Sequence, residues 1–232
     1  MIKFSLFILV FFLILSIEAQ TPIKERVLFE NYTQLIQYFP DLHSGGQYFP
    51  SNRGVEGHPF FQSKSLEKNV LLIGDIAFEE VPIQYDIFDD VLISVTPAKG
   101  QKTILNHEKI DEFELEDLRF IRIKDDLNFF FHKNGFYRVV HEGEISLYCK
   151  HRKEISKNTT NMKKARMYDQ KERYLILLDG NFHYVRRKKE VFELMGLKKK
   201  DIKPQLKRDR IRFKKDKEAY LKILVEIANS KS

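Results

Sequence analysis

From Asn69 to Arg152 the chain alternates short β-branched and aromatic runs with turn residues, at the roughly 8–12-residue spacing that an antiparallel meander requires. That rhythm constrains the fold more than any other feature, because parallel strands would need long helical crossovers between them. Candidate strands are Val70–Ile73, Val81–Asp86, Val91–Thr96, Lys102–Asn106, Phe113–Leu115, Leu118–Ile123, Phe136–His141 and Glu144–His151. Reversals are marked by Lys99-Gly100, by Asn134-Gly135 and most sharply by Glu142-Gly143, where glycine accepts positive φ without steric cost. The run Val91-Leu92-Ile93-Ser94-Val95 is nearly all apolar, which suits a strand covered on both faces. With 20 Phe, 10 Tyr and no Trp, the chain has the large flat side chains that fill sheet cores.

Beyond the meander the pattern changes. Residues 153–171 offer only Ile155, Met162, Ala165, Met167 and Tyr168 for burial and read as a linker. Arg173–Leu178 and Phe182–Val185 then flank Asp179-Gly180-Asn181, a second hairpin signal. Three small amphipathic helices follow. The first spans about Arg187–Met195, with Gly196 placed to end it in the left-handed conformation. The second starts near Lys200 or Asp201, with Ile202 and Leu206 on one face and Pro204 in its first turn. The third starts after Asp216, a suitable N-cap, with Tyr220, Ile223, Leu224 and Ile227 inward and Glu218 paired with Lys222 outward. The expected class is therefore α+β: an antiparallel β-rich body (meander, sandwich or partial barrel) in residues 20–152, a linker at 153–171, and a basic hairpin-plus-helices tail at 172–232 that packs on the body.

The N-terminus predicts the compartment. Met1-Ile2-Lys3 precedes fourteen residues, Phe4 to Ile17, that are apolar except for Ser5 and Ser16, and Ala19 follows as a small residue. This is the layout of a secretory signal peptide at 1–19, cleaved after Ala19 or Gln20. The run is shorter than the ~20 residues of a spanning helix, so the mature chain is expected to lack a membrane span and to be soluble in the periplasm or outside the cell. Cys149 is the only cysteine, which excludes an intrachain disulfide and a lipoprotein signal alike, and its strand setting reads as a small buried hydrophobe. Asn31-Tyr32-Thr33 and Asn158-Thr159-Thr160 match the glycosylation pattern, relevant to a eukaryotic source.

Charge divides the chain. Residues 1–149 carry 14 basic and 22 acidic side chains, a formal −8, and residues 150–232 carry 26 and 11, a formal +15. Two segments of opposite sign attract each other as readily as they attract an outside partner. Lys198, Lys199, Lys200, Arg208, Arg210, Arg212, Lys214 and Lys215 make the basic stretch a candidate surface for an anionic polymer. Nucleic acid is not the expected partner, because readers of single strands interleave stacking aromatics with their cations and this stretch offers Phe213 alone.

Local motifs for catalysis are missing. The seven histidines (43, 58, 107, 132, 141, 151 and 183) form no metal-binding spacing, and no nucleophile elbow, phosphate loop or dinucleotide fingerprint occurs. No cofactor or metal is expected. His58, set between Gly57 and Pro59 and followed by Phe60 and Phe61, is the histidine best placed to bind something, with a structural polar plug as the plainer role. Asp89-Asp90 and Asp125-Asp126 lack calcium-loop spacing and read as solvated turns. The Phe129-Phe130-Phe131 triplet reads as core before it reads as an exposed patch.

The segments R-Y-L-I-L-L-D-G-N-F-H-Y-V (173–185), K-K-E-V-F-E-L-M (188–195), K-K-K-D-I-K-P-Q-L-K (198–207) and I-R-F-K-K-D-K-E-A-Y-L-K-I-L-V-E (211–226) resemble the C-terminal part of a family of uncharacterised secreted bacterial proteins. G-H-P-F-F at 57–61, V-P-I-Q-Y-D at 81–86 and G-F-Y-R-V-V-H-E-G at 135–143 are similar to that family's β-rich part. The closing helix departs from the family pattern by ending E-I-A-N where an aromatic pair is usual. The resemblance implies this layout and export, and carries no activity with it. Three functions follow as expectations: a non-catalytic binding or assembly module of the cell envelope or exterior, with an envelope protein or anionic polymer as partner; alternatively a hydrolase-like enzyme with a site assembled from distant residues; alternatively a polyanion binder using the basic tail.

Overall fold

The strands are long where the sequence supplies alternating apolar residues and end where residues able to take positive φ turn the chain. In the computed structural model, residues 27–29, 35–37, 39–50, 52, 54–96, 100–124, 135–158 and 165–231 are described. The signal-like segment, Asn31, Asp125-Asp126, the Phe129–Phe131 triplet, His132 and Thr159-Thr160 lie outside them. The strands are β1 (Val27–Phe29), β2 (Glu67–Ile73), β3 (Ile76–Asp86), β4 (Val91–Val95), β5 (Lys102–Ile104), β6 (Glu112–Leu115), β7 (Leu118–Ile123), β8 (Gly135–His141), β9 (Ser146–Asn158), β10 (Ala165–Leu178) and β11 (Asn181–Tyr184). Helices α1 (Lys188–Leu194), α2 (Lys199–Arg208) and α3 (Lys217–Asn229) close the chain.

The fold is α+β and β-rich, as the alternation predicts. One open sheet runs in the order β11-β10-β9-β8-β7-β6-β2-β3-β4-β5, every neighbouring pair on this path antiparallel, and β1 adds a parallel pairing to β3. Two meanders, β2–β5 and β6–β11, therefore meet where β2 pairs with β6 at Leu71↔Phe113 and Leu72↔Glu112. The turn β10–β11 has Asp179 and Gly180 at φ 50° and 73°, the mirror-image geometry that the Asp-Gly pair favours. Glu116 and Asp117 adopt the same geometry at 51° and 63° between β6 and β7, without a glycine.

Of the linker expected at 153–171, residues 153–158 and 165–171 are instead strand. β9 and β10 pair without interruption from Ala165↔Asn158 to Leu177↔Ser146, so the boundary read at residue 152 falls inside β9. The misreading has a physical cause. A paired ribbon satisfies its backbone internally and needs few apolar residues, so the charged side chains of this stretch decorate a ladder rather than a loop. Lys153, counted as linker, is buried, and its Nζ donates to the carbonyls of His58 at 2.8 Å and Phe60 at 2.7 Å.

Side-chain alternation along β8–β10 divides the interior. Leu147, Cys149, Tyr174 and Ile176 face the helices and form one core with Val191, Leu197, Ile202, Leu206, Tyr220, Leu221, Leu224 and Val225. Tyr148 and Leu175, one residue out of phase, pack with Ile123 and Tyr137 in a separate cluster. A further core gathers Phe61, Leu71, Phe78, Tyr85, Phe113, Phe120 and Phe136, where Phe113 and Phe120 stack at 4.8 Å and Tyr85 meets both rings edge-on. α3 buries Tyr220, Leu221, Ile223, Leu224, Val225 and Ala228, more than the single stripe expected, because it touches β8 and β9 on one side and α2 on another. Each large side chain so buried contributes about 1.5–3 kcal/mol.

Four local expectations are corrected. Gly143 does not use positive φ; it is small because Asn229 presses on it, and a Cβ there would lie 2.6 Å from Asn229 Nδ2. That amide accepts from the Ile145 N–H at 2.8 Å and donates to the Ile145 carbonyl at 3.0 Å, which pins the C-terminal end of α3 to the β8–β9 turn. Pro204 stands in the second turn of α2, because the helix begins at Lys199, and it removes the hydrogen bond that the Lys200 carbonyl would accept. The Asp216 side chain makes no cap hydrogen bond to α3 and accepts instead from the Arg212 N–H at 3.1 Å. Glu218 faces the sheet rather than Lys222, as described next.

Candidate functional site

Two polar constellations bear on function. The first lies between the sheet and α3. Arg138 on β8 donates through Nη2 to Glu218 and through Nε to His151 Nε2 at 3.0 Å. Tyr174 on β10 donates to Glu172 Oε2 at 2.7 Å and lies 3.2 Å from Glu218 Oε2. Cys149, Glu172 and Glu218 bring one ligand atom each within 4.8 Å of one another. Their chemistry is that of a satisfied bridge, since Arg138 and Tyr174 occupy the Glu218 carboxylate and burial raises the Cys149 thiol pKa far above its usual range. The ion pair also inverts the charge pattern read from the sequence: its acidic member belongs to the basic segment and its basic member to the acidic one.

A second buried ion pair sits at the β3–β4 turn. Asp90, at φ 61°, accepts from Tyr85 OH and from Lys150 Nζ at 2.5 Å, and Lys150 also reaches the Phe136 carbonyl at 3.0 Å. Asp90 is thus neither a solvated turn residue nor a cation ligand. A Cβ on Gly135 would overlap the Asp90 carboxylate, so glycine is required there by close approach rather than by turn geometry. Asp86 is buried, capping the N–H groups of Phe88 at 2.8 Å and Asp89 at 3.0 Å while accepting from Tyr48 OH at 2.7 Å. These groups are also fully engaged with their own chain.

A cluster of cations without ion-pair partners among the described residues lies on the helices. α1, α2, the turn after α2 and α3 enclose a groove of about 560 Å³ lined by Lys188, Phe192, Lys199, Lys203, Leu206, Lys207, Arg210, Ile211, Arg212, Phe213 and Tyr220. Its construction follows from spacing. Lys199, Lys203 and Lys207 recur every fourth residue along one face of α2. After α2 the chain reverses with Arg210 at φ 55°, the Arg210 N–H reaching Lys207 O at 3.3 Å and the Ile211 N–H reaching Leu206 O at 3.0 Å. This is a left-handed helix end of the kind that favours glycine; arginine there costs about 1 kcal/mol. The reversal brings Ile211 and Phe213 beside α3, where Phe213 meets Tyr220 edge-on at 5.4 Å.

Six cations thus surround an apolar and aromatic floor, and no carboxylate is among the lining residues. Among the described residues, Lys199, Lys203, Lys207, Arg210 and Arg212 have no ion-pair partner. Lys188 lies against aromatic faces, its Nζ 4.7 Å from the Tyr220 ring centroid and 5.8 Å from that of Phe192. Tyr220 is buried, and its hydroxyl has no hydrogen-bond partner among the described residues.

Of the basic residues singled out in the sequence, Lys199, Arg210 and Arg212 line the groove. Lys198 precedes α2 as its N-cap, Lys200 is exposed outside the lining, and Arg208 pairs with neighbouring Asp209 at 2.9 Å. His58, Phe60 and Phe61 lie elsewhere: Phe60 packs with Tyr48 and Ile93, Phe61 belongs to the aromatic core, and the His58 ring stacks on Phe60 at 5.9 Å. Sequence reasoning missed Lys188, Lys203, Lys207, Phe192 and Tyr220. The four-residue repeat of Lys199, Lys203 and Lys207 was the available signal for α2, whereas the α1 and α3 contributions depend on tertiary packing. Set against family models, curated proteins and solved structures, the chain finds no match in any of the three. Among the described residues no helix is long and apolar enough to cross a membrane.

Proposed function

We propose that this protein is a non-catalytic binding module whose ligand is an anion held in the groove between α1, α2 and α3, and that it acts after export. One observation carries the binding reading: five lysines and arginines without ion-pair partners, joined by Lys188, converge on one concavity without a carboxylate among them. Like charges at this density repel, so their convergence is a cost unless a counter-charge occupies the groove. The left-handed Arg210 supports the same reading, because it sets a cation at the rim where glycine would be less strained. The apolar run at residues 4–17 and the resemblance to secreted bacterial proteins support export.

Titration with pyrophosphate, followed by NMR at low salt, tests the groove. Amide shifts are expected to centre on Lys199, Lys203, Arg210 and Arg212, with affinity falling steeply as salt rises. Charge reversal in Lys199→Glu/Lys203→Glu/Lys207→Glu is expected to weaken binding at least about tenfold, since three favourable charges become unfavourable. Arg210→Gly separates fold from function: it is expected to gain about 1 kcal/mol of stability while losing affinity. Wild-type affinity in both variants overturns the reading. Export is checked by cell fractionation with N-terminal sequencing: the protein is expected outside the cytoplasm, beginning at Gln20 or Thr21, and recovery in the cytoplasm with Met1 in place overturns it.

A further inference from the structure

The groove holds more than charge, and the remainder specifies its ligand. A polymeric anion would touch only the cationic rim, yet the lining includes Phe192, Leu206, Ile211, Phe213 and Tyr220. Leu206 and Tyr220 are largely covered, whereas Phe192, Ile211 and Phe213 remain partly accessible, so apolar surface lies open between the cations. A volume of about 560 Å³ lies within the roughly 300–1,000 Å³ typical of sites that enclose one small molecule. Lys188 Nζ stands 4.7 Å from the centroid of the Tyr220 ring. Ammonium and guanidinium groups around an apolar concavity suit an oxyanion more strongly than a neutral head.

Resting on the anion-binding reading above, we propose that the groove takes a single anionic amphiphile: an oxyanion head, held by Lys188 and the α2 lysines, on an acyl chain that lies along Phe192, Leu206, Ile211 and Phe213. A nucleotide would satisfy the charges equally, but its base presents polar edges, and the described floor is made of hydrocarbon and ring faces alone. The head chemistry is shared by free alkyl phosphates and by anionic lipid headgroups. The experiment distinguishes these two sources.

Isothermal titration of the full chain with ethyl, butyl and hexyl phosphate, all monomeric, reads the acyl contribution directly. Affinity is expected to rise at least about twofold per added methylene, because burying one CH₂ in full is worth about 0.8 kcal/mol, or roughly fourfold. Lys188→Met, which removes the ammonium and keeps most of the stem, is expected to weaken hexyl phosphate about tenfold, the loss of a charged contact to the head. Equal affinity across the series overturns the amphiphile while leaving the anion reading intact, and loss of binding for every anion, pyrophosphate included, overturns both. Tighter binding of ADP than of hexyl phosphate assigns the groove to nucleotides and overturns the proposal. Binding to anionic phospholipid vesicles without binding to hexyl phosphate makes the face a membrane surface, and overturns it too. Wild-type affinity in Lys188→Met removes that ammonium from the site and overturns the head-group assignment.

Discussion

Asp90→Ala is expected to destabilise the protein by about 3–5 kcal/mol in denaturant unfolding, the cost of leaving a buried cation without its partner. Lys150 is only 5% exposed, and burial lowers its pKa, so its charge depends on Asp90 at 2.5 Å. The change also strands Tyr85 OH, which donates to the same carboxylate from the centre of the aromatic core. The alternative, that the pair is ornamental, is separated by Asp90→Asn/Lys150→Met. In that double variant the amide still accepts from Tyr85 and no charge remains, so most of the lost stability should return. Failure to recover would place the effect in backbone strain at the left-handed turn rather than in the ion pair.

The second large effect is a loss of stability in acid, centred on His151. Its Nε2 accepts from Arg138, so the ring is held neutral, and burial with Arg138 and Lys150 nearby lowers its pKa from 6.5 to about 3. Glu172 places Oε1 at 3.6 Å from Nδ1, and it is too exposed to offset the two cations. An unfolded chain takes up this proton near pH 6.5 and the folded one only near pH 3. Stability is therefore fully present above pH 6.5 and falls as pH drops through that window, by up to roughly 5 kcal/mol at the acid end. His151→Gln keeps an acceptor for Arg138 and does not titrate. Its unfolding free energy between pH 7 and 4 should be flatter than the wild type's by most of that amount, and parallel curves would contradict the assignment.

Much of the fold is legible in the sequence. Strand after strand from Val70 to His151 lies where β-branched and aromatic runs are separated by turn residues, and Gly196 ends α1 at φ 61° as the helix pattern requires. What escapes is whatever depends on a distant partner. Glu218 and Lys222 satisfy a four-residue helical pairing rule, which cannot reveal that Arg138 waits under one of them. Gly143 and Gly135 resemble turn glycines, although Asn229 and Asp90, far away in the chain, are what exclude a side chain there. The stretch 153–171 is poor in apolar residues, and only the register of β10 on β9 makes strand of 153–158 and 165–171. The groove follows the same division: its α2 lysines are visible as a row, whereas Lys188 and Tyr220 join them only after three helices have packed.

The uninterrupted β9–β10 ladder has a consequence for how the chain reaches this state. It is the longest pairing in the sheet and begins on either side of residues 159–164, so it can form with little loss of loop entropy. Pairing of β2 with β6 must instead close forty residues of chain for two registered positions. Folding rates favour contacts close in sequence. The ribbon that looks like a tether between two charge-opposed segments is thus expected to form early and to offer one face on which the helices condense, with the β2–β6 contact between the meanders forming late.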